Sequence, residues 1–133
     1  MPIAELQAAA DRALADGGTL DAVHLLDLAT IDAAILEQSY GPDAVLPFAT
    51  RFGLGFMLTM PRQERTIGAL LPPFGPNPRA FGHQGAGGSV GFADLDGRLG
   101  FGYVMNQFQT GTAQNPDLRW VSLVEATYTA LGA

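Results

Sequence analysis

The sequence predicts an α+β fold, an antiparallel meander flanked by helices, from three observations. Apolar residues recur at helical spacing between Ile3 and Glu37. Short apolar segments broken by glycine-rich bends follow, densest between Phe81 and Asn106. A last helical pattern then closes the chain, so helices and strands are grouped rather than alternating as βαβ units.

In order, Ile3, Leu6, Ala10, Ala13 and Leu14 mark an amphipathic helix over about 3–16, and Gly17-Gly18 supplies its stop. The turn Thr19-Leu20-Asp21-Ala22 leads to Val23-His24-Leu25-Leu26. Asp27 then caps a second helix, about 28–37, with Ile31, Ala34 and Ile35 as its buried stripe. Gly41-Pro42 and Pro47 mark an irregular connection. Phe52 to Leu58 opens a strand over about 52–60, whose glycines permit close backbone approach, and Thr66 to Leu71 is its expected hairpin partner.

Four prolines in the seven residues from Pro72 to Pro78 preclude a regular ladder and predict a loop. Three strands follow at about 79–84, 88–94 and 98–106, separated by a bend at Gly85-Ala86-Gly87 and a turn at Asp94-Leu95-Asp96-Gly97. In the last of them Phe101, Tyr103 and Met105 share one face. Gly100, Gly102 and Val104 share the other, which invites a helix or strand to lie close. Asn115-Pro116-Asp117 opens a final helix, about 116–131, with Trp120, Leu123, Val124, Tyr128 and Leu131 on one side.

The length of 133 residues and 47% apolar content fit one domain spanning 1–133. Seven arginines against thirteen acids give a net charge of −6, which repels a phosphate backbone and argues against nucleic-acid binding. The sequence has no cysteine and hence no disulfide, thiolate metal site or thiol nucleophile. No apolar run reaches the length of a membrane span, and no basic segment precedes an apolar stretch at the start, so the chain reads as soluble, unexported and cytoplasmic.

The sharpest chemical signal is Phe81-Gly82-His83-Gln84-Gly85-Ala86-Gly87-Gly88, a titratable side chain on a strand just before a bend of small residues, where a substrate can approach the backbone. Taken alone, a histidine beside glycines serves structure more often than chemistry. A Ser89–His83–Asp94 triad has the right residue types, but Ser89 is not on a Gly-x-Ser-x-Gly elbow. His24 and His83 lack partners at metal-ligand spacing, no glycine pattern fits a nucleotide fingerprint, and no cofactor is expected.

The run from His83 to Asn106 resembles the third-motif region of class C β-lactamases, DD-peptidases and family VIII carboxylesterases, which open this meander with Lys-Thr-Gly or His-x-Gly and end it in an asparagine. Leu20-Asp21-Ala22-Val23-His24-Leu25-Leu26 is similar to the segment before that meander in those proteins, and Phe52-Gly53-Leu54-Gly55-Phe56 to their Tyr-Gly-Leu-Gly-Trp strand. By this resemblance the chain is the C-terminal part of a serine hydrolase domain. His83 takes the place of the third-motif cation or donor, Gly85 keeps the strand edge open, and the Ala86 N–H is one of two oxyanion donors. Such a donor is worth about 3 kcal/mol in the transition state. Gln84 and Gly87 line the substrate side.

The same superfamily activates its serine with the lysine of Ser-x-x-Lys. These 133 residues contain no lysine, so the nucleophile motif lies elsewhere and the chain is expected to be inactive alone. An ester, amide or β-lactam substrate follows only if another segment completes the site. The last strand lacks its family partner, so a homo-oligomer or a complementing chain is expected, joined through that edge or through exposed helix faces. The alternative is a non-catalytic relative that acts as a binding or oligomerisation module.

Overall fold

Six strands run in chain order through one antiparallel sheet: β3 (Ser39–Pro42), β4 (Ala49–Phe52), β5 (Met57–Leu58), β6 (Ala80–Gln84), β7 (Val90–Asp94) and β8 (Leu99–Tyr103). The computed structural model describes residues 3–46, 48–61, 74–109 and 119–132. The expected hairpin partner at 66–71 and the opening turn of the last helix at 115–118 fall outside that set. Helices α1 (Ile3–Ala15) and α2 (Leu28–Ile35) precede the sheet and α3 (Val121–Leu131) follows it. The α+β meander is therefore as predicted.

Side-chain alternation gives the sheet two covered faces. On one face, Val90 and Phe92 of β7 join Phe74, Trp120, Val124 and Tyr128, with Phe101 and Tyr103 packed alongside. Phe92 stacks between Phe74 and Phe101, with ring centroids 5.4 and 5.2 Å apart. On the other face, Leu58, Phe81 and Ala93 meet Ala15 of α1 and Ile31 of α2. Trp120, just before α3, and the buried Val124 and Tyr128 of the helix follow an i, i+4, i+8 line. Leu123 and Leu131, expected on the same side, are exposed instead.

Asp94 fixes the end of this arrangement. It is 0% exposed, and its carboxylate accepts from the Tyr128 hydroxyl at 2.5 Å, Asn77 Nδ2 at 2.7 Å, and the N–H groups of Asp96 and Gly97 at 3.0 and 2.9 Å. Four donors replace the water that burial removes. Burial and this bond to Asp94 push the Tyr128 phenol far above its ordinary range. One side chain thereby ties α3 and the proline-rich loop to the β7–β8 turn.

α1 ends as the sequence predicts. Gly18 N–H bonds the Ala13 carbonyl at 2.7 Å and Gly17 N–H bonds Leu14 at 3.2 Å, with Gly17 and Gly18 at φ 74° and 93°, the geometry of a Schellman stop. The expected apolar stripe is buried only at its C-terminal end, where Ala13 is fully buried and Leu14 packs against the core that holds Ile31 and Phe81. Ile3 and Leu6 are 73% and 57% exposed, whereas Gln7 and Asp11 lie over Gly91 and the Arg12 backbone lies over Gly100. The glycines on that face of β7 and β8 let the helix approach this closely, so Ile3 and Leu6 turn outward.

Four further departures are local. Residues 19–24 form a hairpin of β1 (Thr19–Leu20) and β2 (Val23–His24), because Asp21 and Ala22 both take the left-handed φ of a two-residue loop. The stretch around Gly41-Pro42 is strand β3, paired with β4, rather than an irregular connection. The strand expected over 52–60 is split, since Gly53 to Gly55 form a bend and the Gly53 N–H bonds the Phe56 carbonyl at 2.9 Å. Asp27 does precede α2, but its side chain makes no cap bond and pairs with His24 Nε2 at 3.0 Å.

Candidate active site

His83 stands near the end of β6, exposed, in register with Gly91 of β7. Its Nδ1 lies 2.7 Å from the Gln84 carbonyl oxygen, which can only accept, so Nδ1 carries a hydrogen. In the neutral ring Nε2 then holds the lone pair, ready to accept from a hydroxyl; in the cation it donates, as a carboxylate requires. The ring lies 6.3 Å from that of Phe52, centroid to centroid, at 47°.

Beyond Gln84 the chain makes the tight turn Gly85-Ala86-Gly87-Gly88. Gly85 N–H bonds the Ser89 carbonyl at 2.8 Å, and Gly88 N–H bonds the Gly85 carbonyl at 3.0 Å. Gly88 has φ 103°, which glycine adopts freely. A trans peptide sets its C=O and N–H on opposite sides. The Gly85 carbonyl points into the turn, so the Ala86 N–H points out of it. That N–H makes no hydrogen bond among the described residues, and Ala86 is exposed. Gly87 is buried: a methyl there would meet Phe108 Cδ2 at 2.6 Å and Met105 Cε at 2.8 Å.

The sequence-predicted residues His83, Gln84, Gly85, Ala86 and Gly87 thus share one strand end and its turn. The candidate triad does not assemble. Asp94 pairs with Ala80 in register and is committed to Tyr128 and Asn77, on the face opposite His83. His24 is held between Thr19 Oγ1 at 3.1 Å and Asp27, away from the turn. Among the described residues no three histidine, cysteine or acidic side chains gather as metal ligands, and no helix is long and apolar enough to cross a membrane.

Two polar residues escaped the sequence reading. Asp11 lies over Gly91, the register partner of His83, and its Oδ2 is buried with no hydrogen-bond partner among the described residues. Burial raises its carboxyl from an ordinary 3.8 to about 7. Arg119 donates from Nη2 to the Gly87 carbonyl at 3.1 Å and from Nη1 to the Gln107 carbonyl at 2.8 Å. The only sequence signals were a charge on a helix expected to pack and an isolated arginine just before Trp120.

Known proteins give the geometry a context. The pattern of the β-lactamase family matches residues 6–126. A family VIII carboxylesterase of known structure is similar over 92% of this chain at 39% identity with a TM-score of 0.77. A penicillin-binding-protein homologue from Caulobacter crescentus is similar over 92% at 41% identity and 0.75, and EstA from Arthrobacter nitroguajacolicus Rue61a over 93% at 34% and 0.72. The chain spans 30% of the length of each of these three. Among curated proteins none matches.

Proposed function

The chain belongs to the serine β-lactamase-like superfamily, and from that membership we propose that it is the C-terminal part of a serine hydrolase acting on esters, amides or β-lactams through an acyl-enzyme. The observation that carries the proposal is the outward-pointing Ala86 N–H at the end of the strand that bears His83. A fixed N–H dipole beside the reacting carbonyl stabilises the oxyanion of acyl transfer. His83, through Nε2, faces the nucleophile's hydroxyl or a substrate carboxylate. Gly85 keeps the turn tight, since a methyl there would meet Ser89 Oγ at 2.5 Å, and Gln84 belongs to the substrate wall.

Serine needs a base to become a nucleophile, and the lysine of Ser-x-x-Lys is not among these residues. It comes from an upstream segment or another chain. The test is hydrolysis of a p-nitrophenyl ester, with labelling by a fluorophosphonate, by this chain alone and joined to a segment bearing Ser-x-x-Lys. Turnover is expected only from the joined form. Turnover and labelling of the unaided chain would refute the division of labour.

A second arrangement is favoured by the position of β8 at the edge of the sheet among the described residues. An unpaired edge is a template for another strand. In the absence of an upstream segment the chain pairs there with a second copy, as an oligomerisation module.

A further inference from the structure

We infer that Arg119 is a positioning residue for the Ala86 N–H, acting through two peptide planes that a hydrogen bond links; the inference rests on Ala86 being the oxyanion donor. The guanidinium holds the Gly87 carbonyl with Nη2 at 3.1 Å, and the Gln109 N–H holds the same oxygen at 3.3 Å. That carbonyl shares its peptide plane with the Gly88 N–H, so fixing one fixes the other. The Gly88 N–H donates to the Gly85 carbonyl at 3.0 Å. This second carbonyl shares its plane with the Ala86 N–H. Orientation therefore passes from Arg119 to Gly87–Gly88, then to Gly85–Ala86, and ends at the donor.

Charge passes the same way. A hydrogen bond from a cation polarises the peptide that accepts it, and each bond in a chain strengthens the next. The Gly87–Gly88 peptide becomes a better donor, and the Gly85–Ala86 peptide in turn presents a more positive hydrogen. The other arm of the fork, Nη1 to the Gln107 carbonyl at 2.8 Å, anchors the guanidinium to the segment after β8. That segment also packs Met105 and Phe108 against Gly87. The turn is thus held from behind while its outer side stays open to substrate.

Lysine at this position keeps the charge but offers no planar fork, so it holds one carbonyl and not both. The test compares Arg119→Lys and Arg119→Ala in two settings. In the chain itself, amide NMR should show the Ala86 and Gly88 resonances shifting in both variants, more for alanine, while those of the Asp96–Gly97 turn stay in place. Shifts confined to residues 107–109 and 119 would overturn the inference, whatever the activity of the protein. In the chain joined to its Ser-x-x-Lys segment, kcat should fall ~10-fold for Arg119→Ala and less for Arg119→Lys, with KM changed under about 2-fold. That loss is smaller than the ~10²-fold cost of deleting an oxyanion donor outright. A rise in KM with kcat unchanged would show that Arg119 acts on binding and not on the donor. If the joined wild-type protein is inactive, the hydrolase reading fails, and the NMR comparison alone decides whether Arg119 orients the turn.

Discussion

Burial beneath α1 holds the Asp11 carboxyl protonated up to about pH 7, and that single side chain sets a pH dependence for the packing of the helix. The folded value lies above the ordinary 3.8, so the folded chain binds the extra proton. Stability is then fully present below the ordinary value and declines as pH rises from about 4 to about 7, where the folded group ionises. Asparagine has the same shape and cannot ionise. Asp11→Asn should therefore match the natural chain in urea unfolding at pH 4, and its midpoint should exceed that of the natural chain by a widening margin up to pH 8. Equal midpoints at pH 8 would mean that the carboxylate finds a partner when charged. Asp94, which is more deeply buried, is met by four donors.

At the scale of elements, α1 lies directly over two glycines of the sheet, and those two glycines are not equivalent. A methyl on Gly100 would fall on the backbone of Arg12, which cannot move without lifting the helix. One on Gly91 would first meet the Gln7 amide, the end of a side chain that can swing aside. Gly100→Ala is expected to destabilise by ~3 kcal/mol, the upper end of an overpacking cost, and Gly91→Ala by under about 1 kcal/mol, measured by denaturant titration. This contrast also explains what could be read from the sequence. Gly100, Gly102 and Val104 on one face announced a close neighbour, and Gly17-Gly18 announced the end of α1, because both signals are local. The side that α1 presents was legible only in part: Ala13 and Leu14 of the apolar stripe are buried or packed on the core, whereas Ile3, Leu6 and Ala10 face outward, because the glycine floor of a distant sheet sets the contact. The strand β3 was missed for a similar reason: Gly41-Pro42 suggests a break, and its pairing with β4 supplies what local propensity does not. At the candidate site, His83 and its glycines were legible as a motif. Arg119 was not, because its importance lies in a carbonyl 32 positions away in the chain.

For the whole molecule, the unused surfaces are consistent with one another. Ile3 and Leu6 on α1, Leu123 and Leu131 on α3, and the edge of β8 are all exposed or unpaired among the described residues. A sheet edge and apolar helix faces this open favour association. The three similar structures are each about three times as long as this chain, as its 30% coverage of them requires. One partner can therefore satisfy all of these surfaces if it is the remainder of such a domain, whereas a second copy satisfies chiefly the strand edge. The two occupants compete, and competition is measurable. At micromolar concentration the chain alone should scatter light as a dimer or larger, with an unfolding temperature that rises with its own concentration. Adding a separately produced upstream segment should convert it to a one-to-one complex whose unfolding temperature depends on the added segment, by about 2.7 kcal/mol of stabilisation at a hundredfold excess over the dissociation constant. A chain that remains monomeric throughout, unmoved by the segment, would mean that β8 and the exposed leucines tolerate water without a partner.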